Sequence, residues 1–168
     1  MAEGRSADPR RSPPIVVVGV GNPLRGDDGV GRRVARSLRT RIPSGVEILE
    51  CDGEATLLID AWWGSELTLV IDAVRCGAAT GTVHRFDADR FDRLADAAGT
   101  STHGLGLAEA VAMARALDRL PGRLVVYGIE GGCFEPGAGL SGEVEAAIES
   151  VTDRLLAEIE AFRATREI

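Results

Sequence analysis

Three residues of this chain have the type and the setting for metal chemistry: Asp28, Asp72 and His103. Asp28 lies in the stretch from Gly19 to Gly31, GVGNPLRGDDGVG, which joins an apolar run to a helical pattern. Asp72 follows the apolar run Leu67–Ile71, where a carboxylate is costly unless it is paired, hydrogen-bonded or metal-bound. His103 stands between Thr102 and Gly104 at a helix start, where the positive end of the helix dipole discourages protonation and keeps the imidazole in its metal-binding form. Each has a plainer reading: Asp28 as a first-turn acid, Asp72 as a cap or turn, His103 as an ordinary loop residue. Two carboxylates and one imidazole from three separate strand-end loops would make an open oxygen and nitrogen site. Such a site suits a borderline divalent metal such as nickel or zinc.

Other chemistries find less support. All 19 basic residues are arginine, so a Schiff-base lysine, a Walker-type lysine and a Ser-Lys dyad are excluded. Gly19 and Gly21 begin a GxGxxG pattern, but Leu24 holds its third position, and Asp27 and Asp28 occupy the helix start that a pyrophosphate would need. Asp27 reads as the N-cap of the following helix. Ser141, in GLSGE, lacks the last glycine of GxSxG and reads as the N-cap of the final helix, with Glu143 in its first turn. Cys51, Cys76 and Cys133 form neither a CxxC pair nor an even set, and none has a histidine beside it in sequence. They read as small buried groups in a reducing cytoplasm. The charge of −7 and the 4% aromatic content argue against nucleic acid as a partner. No stretch has the apolar length of a membrane span, and the N-terminus carries no signal-like core, so a soluble, unexported protein is expected.

The elements that would position these groups follow from hydrophobic spacing. Ile15–Val18, Val46–Glu50, Leu67–Ile71 and Leu124–Tyr127 read as strands, and Thr82–Phe86 as an edge strand. Val30, Val34 and Leu38 recur at helical spacing, Ala55–Trp62 suggests a short helix, and His103 opens a helix to about Leu117. Val144, Ile148, Val151, Leu155, Ile159 and Phe162 form one apolar stripe, opposite Glu145, Glu149, Arg154, Glu158 and Arg163. The adjacent Trp62 and Trp63 suggest a helix end packed on the core, with an exposed interface anchor as the alternative. The alternation predicts a three-layer α/β sandwich, with helices on both faces of a mainly parallel sheet and ligands beyond the carboxyl ends of its strands. A chain of 168 residues accommodates one domain, expected over 14–163 between a disordered tail at 1–13 and a short tail at 164–168.

The loop GVGNPLRGDDGVG, LVIDAV at the third strand, STHGLGL opening a helix and YGIEGGCFEPGAGLSGEV near the end together resemble the nickel-iron hydrogenase maturation endopeptidases, over about residues 15–160. The resemblance implies an α/β enzyme that removes the C-terminal extension of a hydrogenase large-subunit precursor after nickel insertion. It further implies Asp28, Asp72 and His103 as metal ligands, nickel delivered by the substrate and no organic cofactor, with Asp52 as another acidic residue near the site. Where the family commonly continues GI(E/Q)P, Glu130 is here followed by Gly131-Gly132-Cys133-Phe134 before Glu135-Pro136, so residues 131–137 are expected to recognise the partner differently. A non-catalytic nucleotide-binding module and a non-proteolytic nickel carrier are the alternatives.

Overall fold

The computed structural model describes residues 13–88 and 102–166, the side chains of 102–105 excepted. The expected N-terminal tail therefore lies, apart from Pro13, outside the described residues. Five strands form one sheet: β1 (Ile15–Val20), β2 (Val46–Cys51), β3 (Leu67–Val74), β4 (Val83–Asp87) and β5 (Arg123–Glu130). Their order is β2-β1-β3-β5-β4, parallel throughout except that β4 runs antiparallel to β5 at the edge. Four helices accompany them among the described residues: α1 (Val30–Leu38), α2 (Ala55–Trp62), α3 (Thr102–Ala116) and α4 (Gly142–Arg166).

Alternation along β1 divides the core into two layers. Ile15 and Val17 join Val30, Val34 and Leu38 of α1 and Val144, Val151, Leu155 and Ile159 of α4 on one face. Val16, Val18 and Val20 join Leu58 and Trp62 of α2 and Leu107, Val111 and Ala114 of α3 on the other. A sheet buried on both faces requires continuous apolar strands, and β1 is buried along its whole length. The expected three-layer α/β sandwich is what forms.

Helix α1 lies hard against the sheet because Gly31 has no side chain. A Cβ there would sit 2.3 Å from the carbonyl oxygens of both Val20 and Ile71. The close helix-to-strand approach missing at Leu24 is thus supplied seven residues later. At the edge, β4 is fastened to α4 through Arg85, whose Nη2 lies 2.5 Å from Glu158 Oε1, while the Tyr127 hydroxyl donates to Glu158 at 2.6 Å. Glu158, expected on a solvated face, is instead half-buried in this network.

Several boundaries differ from expectation. Strand β3 runs through Asp72 to Val74, and β5 through Gly128 to Glu130. Gly128 lies inside the strand because Val74 presses on it: a Cβ there would meet a Val74 methyl at 2.8 Å. Helix α4 continues past Arg163 to Arg166, absorbing part of the expected C-terminal tail. Trp62 is fully buried, and the Arg119 guanidinium covers the Trp63 ring at 4.4 Å. No helix among the described residues is long and apolar enough to cross a membrane.

Candidate active site

The carboxyl ends of β1, β2 and β3 bring the acidic groups together. Gly19 pairs with Glu50 on one side and Ile71 on the other, so the residues following these three positions meet on one rim. Asp28 belongs to a 3₁₀ turn, Gly26–Gly29, between β1 and α1, and is 3% exposed. Its Oδ2 accepts the Asn22 amide at 3.0 Å, which folds the loop back over the strand end. That amide, one of those a nucleotide phosphate would need in this loop, is already engaged by an acid of the chain itself.

Asp72 is 1% exposed and stands inside β3, not in the loop after it. The strand continues because the Asp72 side chain is satisfied locally, its Oδ1 accepting the Ala73 amide at 2.8 Å. Burial, reinforced by the neighbouring negative charge of Asp28, pushes the Asp72 carboxyl up to about 8 against the single opposing amide. The two side chains are close enough for their charges to interact through the protein interior.

The turn after β2 and the start of α3 adjoin the same rim. Asp52 follows β2 and is exposed, its Oδ1 accepting the Glu54 amide at 3.4 Å. The Gly21 amide donates to Cys51 O at 3.1 Å, joining the β1 loop to the end of β2. Helix α3 then packs onto the turn after β2: a Cβ on Gly106 would lie 2.3 Å from Gly53 O. His103 falls in the first turn of α3, three residues before that contact, and its side chain lies outside the described residues. The structure therefore joins Asp28 to Asp72, sets Asp52 on the adjoining strand end and directs the start of α3 toward that strand end.

Asp27 does not cap α1, whose N-cap position is Gly29. It is fully buried, and it clamps the segment that follows β5. Its Oδ2 accepts the amides of Gly132 at 2.8 Å and Cys133 at 2.9 Å, and its Oδ1 accepts the amide of Ser141 at 2.7 Å and its hydroxyl at 2.9 Å. Burial opposes the charge, but these donors outweigh it and hold the Asp27 carboxyl below its usual range. Ser141 does precede α4, and its carbonyl accepts the Glu145 amide, but its hydroxyl serves Asp27 instead of the helix. The clamp is extended by Gly26 N to Ala138 O at 3.0 Å and Gly137 N to Leu24 O at 2.8 Å. Leu24, 73% exposed, stands beside this strap at the rim.

A family model described as hydrogenase maturation protease matches residues 32–158. The chain belongs to the hydrogenase maturation protease family. It is 31% identical over 146 residues to the hydrogenase 2 maturation protease of Escherichia coli, covering 85% of this chain and 88% of that one. The solved structure of the hydrogenase maturating endopeptidase HybD from E. coli superposes with a TM-score of 0.77 at 31% identity, over 88% of this chain and 92% of that one. It is also 32% identical over 123 residues to the hydrogenase expression/formation protein HupD of Thiocapsa roseopersicina, covering 72% of this chain. The alignment spans only 56% of that relative's length.

Sequence reasoning missed two features of this hydrogenase maturation protease family member. The Asp27 clamp depends on donors more than 100 residues away, which local pattern does not reveal. The second is a cluster of Cys76, His84 and Glu130 at the other end of the same rim. Its one sequence signal is that His84 is one of only two histidines. Burial pushes the thiols of Cys51 and Cys76 upward, reinforced by the nearby acids Asp52 and Asp72 for the first and Glu130 for the second. Neither has the depressed ionisation of a cysteine nucleophile.

Proposed function

We propose that this chain is an endopeptidase that removes the C-terminal extension of a nickel-loaded nickel-iron hydrogenase large-subunit precursor in the cytoplasm. Asp28, Asp72 and His103 hold the nickel, which arrives as part of the substrate, and Asp52 lies at the edge of the site. The reading is carried by the buried Asp28–Asp72 pair in a chain of this family. Two like charges with little access to water are costly, and a divalent cation placed between them removes the repulsion.

Each part of the rim then has a task. Asp28 and Asp72 bind and orient the metal-bearing end of the precursor, and His103 from α3 completes an open coordination shell. Asp27 holds residues 131–138 in place, so that this segment and the exposed Leu24 grip the polypeptide next to the scissile bond. The substrate's nickel contributes Lewis acidity, which favours attack of water on the scissile carbonyl. A precursor without nickel leaves the acid pair unrelieved and is not positioned for cleavage.

The test is the intact mass of a large-subunit precursor after incubation with this protein, with and without nickel loading. Loss of the C-terminal extension from the loaded precursor alone is expected. Equal cleavage of the nickel-free precursor, or no cleavage of either, contradicts the reading. Tight stoichiometric nickel binding in equilibrium dialysis of the isolated protein that Asp28→Ala abolishes, without precursor cleavage, would point to the carrier alternative.

A further inference from the structure

The rim carries a second constellation, built from a different set of donors. Cys76 lies in the turn after β3, His84 is the second residue of β4, and Glu130 is the last residue of β5. Because β4 is antiparallel to β5, its start lies beside the end of β5, with Val83 opposite Ile129 and His84 opposite Gly128. One sulfur, one imidazole nitrogen and one carboxylate oxygen from these residues lie within 4.8 Å of one another. His84 Nε2 is 3.2 Å from Glu130 Oε2. The two are hydrogen-bonded, and a tetrahedral centre with nitrogen and oxygen ligands at about 2.0–2.1 Å has an edge of about 3.3 Å, so a cation could replace the shared proton without moving them far apart.

The carboxylate is also held as a ligand should be. Glu130 is buried, and its oxygens accept the Cys76 amide at 2.9 and 3.1 Å and the Gly77 amide at 3.0 Å. Such hydrogen bonds orient a ligating carboxylate, and they leave the lone pair of Oε2 that faces His84 for a cation. Cys76 and His84 are half-buried, and a Cβ on the exposed Gly77 would meet nothing within 4 Å, so the turn that carries Cys76 is open to solvent on that side. A thiolate and a carboxylate together balance a divalent charge. The sulfur separates this donor set from the all-oxygen-and-nitrogen set of the acid pair.

We propose that Cys76, His84 and Glu130 form a second metal site, which binds a zinc-class divalent cation with its fourth position open. The bound cation takes the place of the thiol proton and fastens the edge strand β4 to the turn after β3 and the end of β5. This site belongs to the chain itself and needs no precursor, so it stands whether or not the proteolytic reading does.

The experiment is a titration of the isolated full chain with Co²⁺ alone, followed by displacement with Zn²⁺. A thiolate-to-cobalt charge-transfer band that saturates at one equivalent and is removed by Zn²⁺ is expected. Cys76→Ser abolishes the band, and His84→Ala weakens binding at least about tenfold. Cys51→Ser, Asp28→Ala and Asp72→Asn leave it in place. In the unaltered protein, Zn²⁺ slows alkylation of Cys76, mapped by peptide mass, while Cys51 and Cys133 react as before. No thiolate band, a band that survives Cys76→Ser or disappears with Asp28→Ala, or a Cys76 alkylation rate indifferent to Zn²⁺ overturns the proposal.

Discussion

Asp27 and Asp72 are both buried aspartates at the carboxyl rim of one sheet, yet their surroundings drive them in opposite directions. Asp27 collects three backbone amides and a hydroxyl, and its carboxyl is held low. Asp72 has one amide and a like-charged neighbour, and its carboxyl rises to about 8. A buried acid whose lone pairs are filled by the protein is part of the framework. A buried acid with one donor beside a second acid has a strongly perturbed ionisation, the property on which the proposed nickel contact rests. Asp28, the next residue in sequence after Asp27, is buried within reach of the Asp72 charge and not in the clamp, so a single step along the chain separates the two surroundings.

The contrast breaks most visibly in activity. On the proposed reading, Asp28→Ala should lower cleavage of a nickel-loaded precursor by at least about 100-fold while leaving the circular dichroism spectrum unchanged, because the Asn22 amide it also releases lies in a loop and not in a strand or helix. Wild-type cleavage by this variant would place Asp28 with Asp27 in the framework.

The pH dependence of stability sharpens the same contrast. Since the folded protein raises Asp72 to about 8 while the unfolded chain leaves it near 3.8, the folded state holds that proton more tightly. Ionisation of Asp72 therefore costs stability as pH rises from about 4 to about 8. Denaturant unfolding of metal-free Asp72→Asn should show it gaining on the wild type by about 3–4 kcal/mol between pH 5 and pH 8. A constant difference across that range would mean that Asp72 is not raised.

Asp27→Ala should do the reverse and destabilise at neutral pH by about 3 kcal/mol, because it strands the buried donors of Gly132, Cys133 and Ser141. With its carboxyl held low, the wild type's advantage over this variant should persist above about pH 4 and fade as pH falls through the folded value. Ser141→Ala removes one of four donors and should cost only about 1 kcal/mol in the same unfolding measurement.

Much of the architecture was readable because it is local. The β-branched run Ile15–Val18 and the steps Val30-Val34-Leu38 and Val144-Ile148-Val151 state their strands and helices in a few residues. Where tertiary neighbours decide, the pattern misleads. Asp72 reads as the end of β3 and Gly128 as the end of β5, yet both strands continue, the first because Ala73 satisfies the carboxylate and the second because Val74 fills the space beside the glycine. Asp27 looks like a cap because its true partners lie 105 to 114 residues away. Cys76, His84 and Glu130 come together only through the antiparallel edge strand, whose direction the sequence does not declare.

On the proposed function, Asp28 and Asp72 ligate the nickel of the precursor. Nickel-edge X-ray absorption of a loaded precursor, frozen before and shortly after this protein is added, tests it directly. Added oxygen and nitrogen scatterers are expected in the nickel shell with the unaltered protein, and fewer with Asp28→Ala. A nickel shell that is the same before and after mixing would contradict it.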